Sequence, residues 1–199
     1  MIPIIALSVV ALTITLAKWW EFWRFHTRLN KLFQKLRALI QDGNLAAAVQ
    51  CCRDDDSSLG RLFESVFVYR SHPPAELTHR LERLGGEVVA DLESYMNILA
   101  GIVGVAPMLG FLGTIIGLIR AFMSWEALGE RVTISVLAGG IYEAMITTAA
   151  GLSVAIPYYL IYNHFVTKVG TLTRLTEERT ETVVDLISET TMEPVTRAL

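Results

Sequence analysis

Ile134-Ser-Val-Leu-Ala-Gly-Gly-Ile-Tyr-Glu-Ala-Met-Ile-Thr-Thr-Ala-Ala-Gly-Leu-Ser-Val-Ala-Ile-Pro157 is the stretch on which the reading of this chain turns. It opens a run, residues 134–167, that is long enough to cross a membrane, and between Arg131 and Lys168 the only acidic side chain is Glu143. A span needs roughly 20 mostly apolar residues, and a central acid costs on the order of 3 kcal/mol on insertion scales. Something must compensate for that carboxyl. The chain therefore reads as a membrane helix bundle in which Glu143, with a few hydroxyls, faces a polar interior.

Composition agrees. Of 199 residues, 52% are hydrophobic, and a mean hydropathy of +0.44 is high for a soluble domain. Charge is nearly absent from three stretches and dense between them, as in spans and loops. The net charge of −3, with no basic stripe or long single-sign run, argues against nucleic acid as a partner. Cys51 and Cys52 are adjacent and without further cysteines, so neither a disulfide framework nor a four-cysteine zinc site is expected. The four histidines are scattered, and no metal site is expected.

Working back to the start, residues 1–17 carry no charged side chain, and Trp19, Trp20, Phe22 and Trp23 follow. No basic segment precedes this run and no small-residue cleavage site follows it, so we expect a retained first span, residues 1–23, with the Trp cluster as an interfacial belt. Lys18 and Glu21 are expected to snorkel or pair near the boundary. Arg24, Arg28, Lys31, Lys35 and Arg37 come next, interleaved with apolar residues at helical spacing. The positive-inside rule puts this side in the cytoplasm and the N-terminus in the periplasm.

Residues 24–95 then form an expected cytoplasmic helical region. Asp42-Gly43-Asn44 stops the first helix, a short helix follows over 45–53, and Asp54-Asp55-Asp56-Ser57-Ser58 is a turn and N-cap for a helix near 59–69. Counting a calcium loop from Asp55 places Gly60 correctly at the sixth position but Val66 at the twelfth, where a bidentate Glu is needed, which favours a solvated cap. After Pro73-Pro74, residues 75–95 read as a charged amphipathic helix running directly into the second span.

That second span, residues 96–123, holds Gly101, Gly104, Gly110, Gly113 and Gly117. Each would weaken a soluble helix by about 1 kcal/mol. In a membrane small residues let backbones approach, and Gly113-Thr-Ile-Ile-Gly117 is a small-xxx-small match. Pro107 is expected to kink this helix, and Pro157 the third. Residues 124–133 are expected to form a periplasmic loop, 134–167 the third span, with Gly139, Ala144, Thr147, Gly151 and Ala155 for close packing, and 168–199 a cytoplasmic amphipathic helix and tail. The expectation is an all-α membrane protein with three transmembrane helices, long cytoplasmic helical extensions, a periplasmic N-terminus and a cytoplasmic C-terminus.

Depth follows from about 1.5 Å of rise per residue. Glu143 falls roughly 13 Å in from residue 134, Thr148 roughly 21 Å, and Thr114 roughly 10 Å from the same surface if the second span leaves near Ala121. Thr114 and Glu143 would then share a level, with Thr148 deeper. Glu143 and Thr147 fall at i and i+4 on one face, while Thr148 points about 140° from Glu143. Desolvation disfavours the charged form of a carboxyl, so an acid in a dry bundle can take up and release protons, and threonine both donates and accepts. The structural alternative is that the threonines satisfy backbone carbonyls and Glu143 bonds a neighbouring helix. No nucleotide loop, nucleophile elbow or paired intramembrane carboxylates are present, so no catalytic residue is expected. Energy must come from an ion gradient or a partner.

At Ala106-Pro-Met-Leu-Gly-Phe-Leu-Gly-Thr-Ile-Ile-Gly117 and Gly140-Ile-Tyr-Glu-Ala-Met-Ile-Thr-Thr-Ala-Ala-Gly-Leu-Ser-Val-Ala-Ile-Pro-Tyr-Tyr-Leu-Ile-Tyr-Asn163, the chain resembles the MotA/TolQ/ExbB proton-channel family, and its ExbB and TolQ branch most. The resemblance implies a multi-pass protein of the bacterial inner membrane, a homopentamer enclosing the single-span helices of an ExbD- or TolR-like dimer and acting on a TonB- or TolA-like protein. It implies that Thr114, Glu143 and Thr148 line a proton pathway; helix spacing adds Thr147 as a pore or packing position, and residue type alone assigns Pro107, Gly113, Gly117, Gly151 and Pro157 to helix shape and packing. Protons would be the coupling ion, with no cofactor. The implied function is a stator subunit that turns proton-motive force into work on a periplasm-spanning partner, ExbB-like in TonB-dependent outer-membrane transport, or TolQ-like in outer-membrane integrity and cell division. A reading from another class is a non-conducting membrane scaffold.

Overall fold

A computed structural model describes residues 1–70, 73–128 and 134–196. They form six helices: α1 (Ile2–Gln41), α2 (Leu45–Arg53), α3 (Ser58–Tyr69), α4 (Pro74–Glu93), α5 (Met96–Leu128) and α6 (Ile134–Thr196). Three of these, α1, α5 and α6, are long and apolar enough to cross a membrane. The chain divides into two compact units, one of Met1–Lys18 and Tyr95–Phe165, the other of Trp19–Ser94 and Val166–Leu199. Helices α1 and α6 contribute to both.

The first unit holds the apolar runs. Within one apolar stretch of 18 consecutive residues in each of α1, α5 and α6, only 17%, 22% and 17% of the residues are buried. So large an apolar surface is what lipid or further protein must cover. Ala11 on α1 is fully buried, and Tyr158 on α6 donates its hydroxyl to the Ser8 carbonyl at 3.3 Å. Both α5 and α6 run unbroken through Pro107 and Pro157. Lys18 is buried, 1% exposed, and engaged in a contact rather than free.

In the second unit local chemistry ends α1 and opens α2 and α3 where the sequence expects it. Gly43 adopts φ +72. The Asn44 and Gly43 amides bond back to the Leu39 and Ile40 carbonyls at 2.9 and 3.0 Å, the paired closure that a left-handed glycine permits. Asn44 in turn caps α2 by accepting from the Ala47 amide at 3.1 Å, and Ser57 caps α3. Gly60 is required because a Cβ there would strike the Asp55 carbonyl and stand 2.7 Å from the Cys52 carbonyl. No cluster of three His, Cys, Asp or Glu able to hold a metal occurs among the described residues.

The core of this unit is built from Leu29, Phe33, Leu36 and Ile40 of α1, Phe63 and Val66 of α3, Val88 and Leu92 of α4, and Leu172 and Val183 of α6, all buried. Each such side chain contributes about 1.5–3 kcal/mol. The Arg179 guanidinium lies 4.4 Å over the Phe33 ring. Surface ion pairs join Arg28 to Asp55 at 3.6 Å and Arg53 to Glu64 at 2.7 Å. These are exposed enough to contribute at most about 1 kcal/mol each.

The charged helix does not run directly into the second span: α4 ends at Glu93, and α5 begins at Met96 after Tyr95 at φ 62. Left-handed backbone at a tyrosine stops a helix firmly, because a Cβ makes that conformation costly to continue. Ser124–Leu128, expected as part of a periplasmic loop over 124–133, are helical and prolong α5; residues 129–133 lie outside the described ones.

Candidate functional site

Small residues set how closely α5 and α6 approach, and that approach positions the polar groups. A Cβ built on Gly117 would stand 2.8 Å from the Ala144 Cβ and 3.1 Å from the Gly140 carbonyl oxygen. One on Gly140 would stand 2.7 Å from the Ala121 Cβ, and one on Gly151 2.6 Å from the Ala106 carbonyl oxygen. Gly113 lies directly against the Thr147 hydroxyl, and Gly110 against the backbone of Thr147 and Thr148. Numbers rise along one helix as they fall along the other, so the pair is antiparallel. At each crossing a side chain larger than hydrogen would push the backbones apart.

This register places every expected polar residue. Thr148 reaches across the seam and donates to the Gly110 carbonyl at 3.0 Å. Thr147, packed on Gly113, donates to Ala144 of its own helix at 2.7 Å. Thr114 donates to Phe111 at 2.6 Å. Each hydroxyl hydrogen is thus held by a carbonyl, while the oxygens keep lone pairs free to accept. Gly113, Gly117 and Gly151 occupy the seam itself. The level assigned to Thr114 needs correction: Gly113 faces Thr147 and Gly117 faces Ala144, so Thr114 lies roughly 5 Å deeper than Glu143 rather than beside it.

Glu143 sits next to the seam residue Ala144 and turns away from it. Its side chain is 65% exposed, and its Oε1 lies 3.7 Å from Nη1 of Arg120, itself 68% exposed. Arg120 is the ion-pair partner of Glu143, exposed as that carboxylate is. Of the two helices, α5 carries Arg120 eight residues before its described end, and α6 carries Glu143 nine residues after its start. Both charges therefore stand about 12–13 Å inside the hairpin, on an open flank with Tyr142, Met145 and Ile146 exposed nearby. Neither Arg120 nor Glu143 could face hydrocarbon there without a cost of several kcal/mol. Water or other protein has to lie against this flank.

A sequence model of the MotA/TolQ/ExbB proton channel family matches residues 54–178, which include all of α5 and the whole small-residue seam. The chain belongs to this family. Among the relatives of this MotA/TolQ/ExbB protein, a putative biopolymer transport protein ExbB-like 3 of Synechocystis sp. is 28% identical over 166 residues, 82% of this chain and 79% of that protein. The biopolymer transport protein ExbB of Pseudomonas putida is 37% identical over 91 residues, 46% of this chain and 27% of that protein. The Tol-Pal system protein TolQ of Haemophilus influenzae is 36% identical over 84 residues, 42% of this chain and 36% of that protein. The chain therefore spans about a third or less of the two named ExbB and TolQ relatives. It is a multi-pass membrane protein of a family of proton channels, and that family is not one of enzymes.

Arg120 is the residue that sequence reasoning passed over. It is the only base in α5, as Glu143 is the only acid between Arg131 and Lys168. A lone base and a lone acid at equal distance from one hairpin end are a readable signal.

Proposed function

We propose that this chain is the ring-forming subunit of a proton-driven motor in the bacterial inner membrane, ExbB-like in role, which uses proton-motive force to energise a periplasm-spanning, TonB-like partner in outer-membrane transport. The observation that carries the reading is the Arg120–Glu143 pair, two-thirds exposed on a flank of two apolar helices. Copies of the chain arranged as a ring, taken here as a homopentamer, would turn that flank to a central lumen, where an ExbD- or TolR-like single-span helix would stand. Glu143 would then exchange protons with the lumen, Thr114 and Thr148 would hold water along the path with Thr147 beside them, and Arg120 would set the charge at its outer end. The coupling ion is the proton, and no cofactor takes part.

The N-terminus is placed in the periplasm and the C-terminus in the cytoplasm, with α2–α4 and the end of α6 on the cytoplasmic side. The excess of Arg and Lys from Arg24 to Arg37 supports that orientation. The ExbB role is preferred to the TolQ role because the ExbB-like 3 relative aligns over 82% of this chain and TolQ over 42%.

The test is proton flux in liposomes holding the ring with its single-span partner. Glu143→Gln keeps the shape and most hydrogen bonding of the side chain. It is expected to reduce flux on the order of 100-fold, the loss typical for a removed proton-transfer group, with assembly intact. Parental flux from a normally assembled variant would instead make the chain a scaffold.

A further inference from the structure

Beyond its Trp cluster, α1 carries four bases on one stripe, Arg24, Arg28, Lys31 and Lys35, at intervals of four, three and four. They line a groove of about 570 Å³ with Trp23 and the α2 end, where Asp54 and Asp55 close the far wall. Arg28 meets Asp55 at 3.6 Å, and the Asp54 carboxylate accepts from Gln50 at 2.8 Å. Among the described residues Arg24, Lys31 and Lys35 meet no carboxylate. The groove thus keeps an uncompensated positive charge. Trp23 lines it; on the same helix Trp19, Trp20 and Trp23 are 65%, 62% and 67% exposed, and the Arg24 guanidinium stands 5.9 Å over the Trp20 ring. Exposed indoles that follow an apolar span mark the level of lipid headgroups.

We infer that this groove binds the phosphate headgroup of an anionic phospholipid in the leaflet that meets α1 at its Trp cluster. The inference needs α1 to enter the membrane and is independent of the proton-channel reading. Geometry makes it specific. The headgroup layer is about 5–7 Å thick on each side. Along a helix Arg24 and Arg28 lie within about 8 Å of Trp23, and Lys35 about 18 Å beyond it. Arg24 can bond a phosphate directly, Lys31 acts through the field, and Lys35 lies more than a screening length of about 8 Å from the headgroups. A soluble acidic segment laid along the groove would use all four bases alike.

The experiment is native mass spectrometry of the delipidated full chain in neutral detergent, titrated with phosphatidylglycerol and with phosphatidylcholine. We expect at least a 10-fold preference for the anionic lipid, weakened about 5-fold by Arg24→Gln, about 25-fold by the Arg24→Gln/Lys31→Gln pair, and less than 2-fold by Lys35→Gln, on the footing of one comparable increment per base near the surface. Arg83→Gln, which alters a base on α4 paired with Glu87, should change nothing. Equal binding of the two lipids, parental preference in the double variant, or displacement by millimolar inorganic phosphate would overturn the assignment. A loss from Lys35→Gln as large as that from Arg24→Gln would overturn it too, in favour of an acidic protein segment. Should the variants fail to fold, the parental protein decides: the preference must fall as salt rises from about 50 to about 500 mM, and a salt-independent preference refutes it.

Discussion

Gly117→Ala tests the seam on which the candidate site depends. The new Cβ would stand 2.8 Å from the Ala144 Cβ, whereas carbon atoms rest at about 3.5–4.0 Å, so α5 and α6 must part by about 1 Å. Overpacking of this kind costs about 1–3 kcal/mol. The same movement stretches the Thr148–Gly110 hydrogen bond from 3.0 Å beyond useful length, and an interhelical bond in a membrane is worth about 0.6 kcal/mol. Against both stands the better helix propensity of alanine, up to about 1 kcal/mol. Gly104→Ala isolates that gain, because a Cβ at Gly104 meets nothing within 4 Å. In reversible unfolding of the dispersed chain in mixed micelles, Gly117→Ala should therefore be less stable than Gly104→Ala by about 2–3 kcal/mol. Ala144→Gly added to Gly117→Ala removes the closest atom and should recover at least half of the loss. A Gly117→Ala chain as stable as Gly104→Ala, or no recovery from Ala144→Gly, would refute the register.

Two further outcomes follow from the same geometry. A double-mutant cycle of Arg120→Gln and Glu143→Gln on the assembled ring should give a coupling below about 1 kcal/mol, as for an exposed pair. At 3.7 Å an effective dielectric of about 20, without the screening of open solvent, would give about 4–5 kcal/mol, so a coupling above about 3 kcal/mol would mark a structural staple. Burial, with smaller contributions from Cys51, Glu64 and Asp55, pushes the Cys52 thiol up to about 12. An unfolded thiol ionises near 8.5, so above pH 9 the unfolded chain loses the proton that the folded one keeps, and this residue's contribution to stability falls as pH rises towards 12. Maleimide labelling at pH 8 should leave Cys52 unmodified until the chain is denatured, and rapid native labelling would contradict its burial.

Spans are legible because hydropathy is a property of each segment alone: the three stretches expected to cross lie in α1, α5 and α6, the three helices long and apolar enough to do so. Caps are legible for the same reason, since Gly43, Asn44 and Ser57 act on their immediate neighbours. Registers are not. Gly113-Thr-Ile-Ile-Gly117 announces a close approach, but only the folded pair reveals that Gly117 meets Ala144 and that Thr148 turns inward to Gly110. Depth counted from assumed span ends set Thr114 beside Glu143, and the added turn of α5 through Leu128 displaced it. The break at Tyr95 left no trace in sequence, because the residue in left-handed backbone is neither Gly nor Asn.

What the hairpin achieves is a division of labour between its two surfaces. The seam takes up the small residues and the hydroxyl hydrogen of Thr148, leaving that oxygen's lone pairs to accept, so its packing is finished within one chain. The flank is unfinished: Arg120 and Glu143 stand together there, mostly exposed, among apolar neighbours. Hydrocarbon cannot satisfy them, and the described part of the chain offers no segment that does. A pair held by a rigid seam at a fixed depth is suited to exchange charge with whatever fills the space beside it. Widening the seam by 1 Å would move the partners independently. The glycines are therefore as much a part of the polar site as the carboxylate, although none of them can carry a proton.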